Sequence, residues 1–126
     1  MHTTRNVADA GTDAAFHLYL TWVDDGGRVS LTLPFPDLAH NERERGRTDY
    51  YRFNVSGKGV DTSRSLQIYM TMLNSVDGWL PSSLFVIGRT TAGQFLVLGA
   101  HPNWPSDTWF DTNEPNSEAG HLIAYT

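Results

Sequence analysis

The chain has 126 residues, enough for one domain with a substantial core and no need of staples. It contains no cysteine, which excludes disulfides, thiolate chemistry and a Cys-ligated zinc site. Its formal net charge of −5, from 9 basic and 14 acidic residues, comes without any basic run and argues against a nucleic-acid binder.

The start, MHTTRNVADAG, lacks the apolar stretch of a signal peptide, and no segment is long and apolar enough to span a bilayer. Residues 1–8 therefore read as a flexible tail on a single domain, with a cytoplasmic location expected. Asp9-Ala10-Gly11-Thr12-Asp13 follows. Its glycine permits a tight turn into which two carboxylates and a hydroxyl can point. Such a loop either holds a hard cation or simply starts a strand.

Phe16, Leu18, Leu20 and Trp22 then alternate with His17, Tyr19 and Thr21, the period of a strand with one buried face. The turn signal Asp24-Asp25-Gly26-Gly27 leads into a second alternation, Val29, Leu31 and Leu33, which Pro34 and Pro36 stop; together they read as a hairpin. Residues 37–46 are polar and read as a loop. Tyr51, Phe53 and Val55 predict a third strand, and Leu66, Ile68, Met70 and Met72 a fourth. Leu84–Ile87 and Gln94–Leu98 flank a turn, and Leu122–Tyr125 predicts a last strand. No amphipathic helix of ten residues stands out. Short strands punctuated by glycine and proline predict an all-β antiparallel sandwich with Leu18, Leu20, Phe53, Ile68, Met70 and Val86 in its core.

Signatures of common enzymes are missing: no Gly-x-Ser-x-Gly, P-loop, HExxH or dinucleotide glycine pattern occurs. His101 with Asp107 is the least implausible acid–base pair. The competing reading of such histidines is a surface or hydrogen-bonded loop position. A small enzyme or small-molecule binder using a pocket in or at the edge of the sandwich remains the alternative to a binding module.

Four landmarks in order, the Gly11–Asp13 loop, Glu44–Asp49, Gly78–Val86 and Phe110–Asn113, make residues 8 to 115 resemble the PLAT/LH2 domain of lipoxygenases, some lipases and polycystins. The resemblance implies an eight-stranded antiparallel β-sandwich and a non-catalytic module. Such a module docks on membrane lipid or a partner protein, often with calcium. It also implies a metal site at Asp9, Gly11, Thr12 and Asp13, joined by a loop carrying an Asp-Asn pair. Here that pair matches Leu73-Asn74; Leu73 has no side-chain oxygen, which leaves Asn74 and the nearby Asp77 as candidates. Calcium's demand for six to eight oxygens leaves room for backbone carbonyls in such a set. The plainer reading is that Thr12 or Asp13 caps a turn and Asp9 is solvated.

Membrane or partner contact is expected from Trp79, Leu80 and Trp104, since a Trp ring anchors at headgroup level. The competing expectation places Trp79 and Trp109 in the core, leaving Trp104, between Pro102 and Pro105, as the exposed anchor. The alternating charges of residues 42–47 read as a solvated loop. The resemblance implies a structural role there for Arg45 and Asp49, as a buried Arg–carboxylate pair.

Overall fold

The computed structural model describes residues 1–36, 43–73, 77–114 and 117–126. Strand β2 (Phe16–Asp24) and strand β3 (Gly27–Pro34) form the expected hairpin, paired from His17↔Pro34 to Asp24↔Gly27. Asp25 and Gly26 make a two-residue turn, fastened by the Gly26 N–H donating to Asp24 Oδ1 at 2.8 Å. Gly27 leaves it at φ +114°, a conformation that L side chains rarely adopt. On its other side β2 pairs with β5 (Leu66–Met72), and β5 pairs with β8 (Gly120–Tyr125). The first sheet thus has the order β3-β2-β5-β8. Its inward residues are those of the alternation: Phe16, Leu18, Leu20 and Trp22 face the core beside Leu66, Ile68, Met70 and Met72, and all are buried. Fully burying one such side chain stabilises by about 1.5–3 kcal/mol.

The second sheet has the order β4-β1-β6-β7, built from β4 (Thr48–Asp49), β1 (His2–Thr4), β6 (Pro81–Arg89) and β7 (Phe95–His101). The molecule is therefore all-β, with eight antiparallel strands in two four-stranded sheets and no helix among the described residues. No helix there is long and apolar enough to cross a membrane.

Two expectations are corrected. The predicted tail instead contains an inner strand: His2 and Thr3 pair with Asp49 and Thr48 on one side, and His2 faces Leu84 on the other. His2 and Thr4 are buried, and Thr4 Oγ1 accepts the Trp79 indole N–H at 2.9 Å. A segment without apolar periodicity looks like a tail until a remote strand offers its hydrogen bonds. The predicted strand at Tyr51, Phe53 and Val55 lies outside both ladders. Its residues still alternate half-buried and exposed, because Tyr51 and Phe53 pack edge-on against Phe35, at 4.9 and 5.0 Å between centroids.

In the expected core Leu18, Leu20, Ile68 and Met70 are buried, while Phe53 and Val86 pack against the cluster partly exposed. The sheets approach closely at β7 and β8, where a Cβ on Gly99 would fall 2.2 Å from the Ile123 carbonyl oxygen. Backbone cannot swing aside as a flexible side chain can. Gly99→Ala is expected to destabilise by about 1–3 kcal/mol, measured as a lower urea midpoint at unchanged slope.

Candidate functional site: an acidic cleft

The 9–13 loop is shaped by backbone bonds. Asp9 adopts φ +62°, the Leu80 N–H donates to the Ala10 carbonyl, and the Thr12 N–H donates to the Arg43 carbonyl. Gly11 is needed for packing, because a Cβ there would sit 3.1 Å from Arg43 O and from Arg45 N. Thr12 is buried. Its hydroxyl accepts from the Ala14 N–H at 3.1 Å and donates to the Asp77 carbonyl at 3.4 Å, so it ties the two loops together from within.

An open cleft of about 410 Å³ lies along this edge, lined by Asp9, Gly11 and Asp77 together with Trp109, Asp111 and Glu114. Three of the six sequence-predicted metal residues therefore line one cleft. Thr12 sits beneath it as a turn staple, Asp13 is exposed and does not line it, and Asn74 lies outside the described residues. Sequence reasoning did not offer Asp111, Glu114 or Trp109 as site residues, although Phe110–Asn113 was one of the landmarks. The signal was the carboxylate inside that landmark.

Asp111 is buried, and its Oδ1 accepts from the Asn113 N–H at 2.8 Å and the Glu114 N–H at 3.4 Å. Its other oxygen lies against Gly78, where a Cβ would come within 2.7 Å. A Cβ at 78 would press on the Asp111 carboxylate and the Trp109 ring. The Trp79–Phe110 bridge, with N–H···O bonds of 2.8 Å in both directions, holds the 77–80 and 109–114 segments together.

The donors the cleft presents are carboxylates and backbone oxygens, the hard oxygen set that calcium prefers. Among the described residues, no three His, Cys, Asp or Glu side chains are gathered closely enough to hold a metal ion in this conformation.

The aromatic expectations change. Trp104 is buried, not exposed: its ring stacks on Phe110 at 5.7 Å and its Nε1–H donates to the Thr108 carbonyl at 2.8 Å. Flanking prolines mark a turn but do not say which side of it meets solvent. Trp79 and Leu80 are also buried, Trp79 under Phe16 and Phe110, so none of the three offers a membrane contact. Trp109 is half-buried and is the aromatic that lines the cleft. Exposed apolar side chains lie instead on β6 and β7, at Ile87, Phe95 and Val97.

The charged segment also departs from expectation. Arg43, read as solvated, is 5 % exposed; its Nη2 donates to the Ala14 carbonyl at 2.9 Å, its Nη1 donates to the Tyr51 hydroxyl, and its guanidinium lies 4.8 Å from the Phe16 ring centroid. Asp49 is buried. It accepts from the Arg43 backbone N–H at 2.8 Å and pairs with Arg47, not Arg45, at 3.2 Å. Arg45 is exposed and donates to Asn6 Oδ1 at 3.0 Å. As for the acid–base candidate, the His101 Nε2–H donates to the Ile123 carbonyl at 2.9 Å, and Asp107 accepts from the Thr108 hydroxyl at 3.3 Å.

Comparison with protein-family models, with curated proteins and with solved structures finds no match to this chain.

Proposed function

We propose that this protein is a binding module that takes calcium in the acidic cleft and uses the bound ion to dock on an anionic surface, a lipid headgroup or a partner carboxylate. One observation carries the reading. Loops far apart in sequence bring Asp9, Gly11 and Asp77 to a single cleft, and Asp111 and Glu114 add two further carboxylates. Several carboxylates on one concave wall concentrate cations. Coordination requires the Asp9 and Asp77 side chains to turn toward Asp111, with the Gly11 carbonyl as a further oxygen. The likeness of the four landmarks to PLAT/LH2 domains supports the same reading, and Trp109 replaces Trp104 as the aromatic beside the ion.

Titration calorimetry on chelator-treated protein tests the ion. Saturable heat at up to millimolar calcium is expected, and Asp111→Asn should weaken it about tenfold by removing one ligand charge. No heat in the wild type overturns the proposal. Co-sedimentation with phosphatidylserine vesicles then separates the surfaces. Pelleting that requires calcium supports the membrane, whereas calcium binding without pelleting selects a protein partner.

A further inference from the structure

His2 poses a separate problem, independent of the acidic cleft. Its imidazole is 3 % exposed, and among the described residues neither ring nitrogen has a hydrogen-bond partner. Buried polar groups nearly always find one. The ring is held in place by aromatics alone, stacked on Tyr51 at 5.5 Å and edge-on to Trp79 at 4.8 Å. It lines a chamber of about 80 Å³ between the sheets whose other walls include Leu18, Phe53, Met70, Leu84 and Val86.

A second, wider space lies further along the sandwich. Leu20 and Ile68, paired across β2 and β5 as Leu18 and Met70 are, are the next inward positions on those strands, and Gly88 follows Val86 on β6 in the facing sheet. With Leu98 and the 53–62 loop they line an opening of about 460 Å³ at the far end of the sandwich. Phe53 lines both spaces. From the level of Leu84, opposite His2, to Gly88 is four residues of strand, about 13 Å, the reach of a chain of about eight to ten carbons.

We propose that this inter-sheet space binds a neutral amphiphile with one hydroxyl head, a straight-chain alcohol in chemistry, its hydroxyl on the His2 imidazole and its chain passing Phe53 toward the 53–62 opening. A neutral imidazole offers one N–H donor and one nitrogen acceptor, and a hydroxyl complements both. Burial keeps the ring neutral, with its pKa lowered to about 3. A carboxylate head matches only the donor and would be desolvated. The walls beside His2 are mainly apolar, and 80 Å³ there exceeds the roughly 10–15 Å³ that one water needs.

The test is titration of the labelled protein with 1-octanol, followed by the imidazole ¹⁵N resonances of His2, with octanoate as the charged control. Expected is a saturable His2 shift with octanol and at least about tenfold weaker binding of octanoate. His2→Phe, which keeps a ring in the aromatic cluster, should weaken octanol about tenfold or more. Val60→Trp, at the opening, should weaken it without touching His2. An unmoved His2 resonance up to the solubility of octanol overturns the proposal. So does octanoate binding as tightly as octanol, or a folded His2→Phe variant that binds octanol like the wild type.

Discussion

Replacing Arg43 by methionine is expected to destabilise the fold by about 3–5 kcal/mol, the largest loss of any single substitution considered for this molecule. The guanidinium is buried, so its removal exposes no solvent to take over its bonds. The Ala14 carbonyl and the Tyr51 hydroxyl lose a charged donor, and the Phe16 face loses the cation above it. Hydrogen bonds to a charged group are worth about 1.5–3 kcal/mol, and a cation–π contact at a desolvated site about 2. The Arg43 backbone holds Asp49 and Thr12 through separate N–H and carbonyl bonds, which methionine retains. Arg43 also adopts φ +58°, which costs methionine about as much as arginine, so backbone strain cancels from the comparison. Chemical denaturation at neutral pH gives the value. A loss below about 1 kcal/mol would mean that the guanidinium is not the link between the 43–51 segment and strand β2. Arg45→Met, at an exposed position, should cost well under 1 kcal/mol.

The second large effect is acid destabilisation through His2. Burial is the chief cause of its lowered pKa; Asp49 opposes the shift, while Arg43 and the amino terminus add to it. The ring is neutral in the fold down to about pH 3, whereas in the unfolded chain it takes a proton near 6.5. The unfolded state thus binds the extra proton first. The stability that neutral His2 contributes is complete above pH 6.5 and falls as the pH drops toward 3, by about 1.4 kcal/mol per unit where the two states differ fully. Over the whole window the loss is about 4–5 kcal/mol. Denaturation midpoints between pH 7 and 4 measure it. His2→Phe should flatten that slope, and an unchanged slope in the variant would place the acid sensitivity elsewhere. Asp61, whose pKa is lowered by its hydrogen bonds from Ser63, is a contributor of the same sign at lower pH that both proteins share.

Three of the four landmarks, each slight alone, contribute residues to the cleft: Gly11, Gly78 and Asp111. What they could not reveal is the identity of the carboxylates that share it. Asp111 belongs to the cleft only because the Trp79–Phe110 bridge brings 109–114 against Gly78, a pairing between segments with no common periodicity. The same limit explains Trp104. Its prolines are local facts, but its burial depends on Phe110, a ring contributed by a later bridge.

By itself the sequence determined the alternating strands β2, β3 and β5, the hairpin turn at Asp25-Gly26 and the all-β class, because period-two burial and turn chemistry are properties of adjacent residues. Only the tertiary structure decided that His2–Thr4 is an inner strand, that Arg43 sits inside a loop of alternating charges, and that Tyr51–Val55 packs on Phe35 without joining a ladder. Each depends on a remote surface covering a segment or supplying its hydrogen bonds. Whether a polar group is buried is settled by the partners it meets there, and those partners are not its neighbours in the chain.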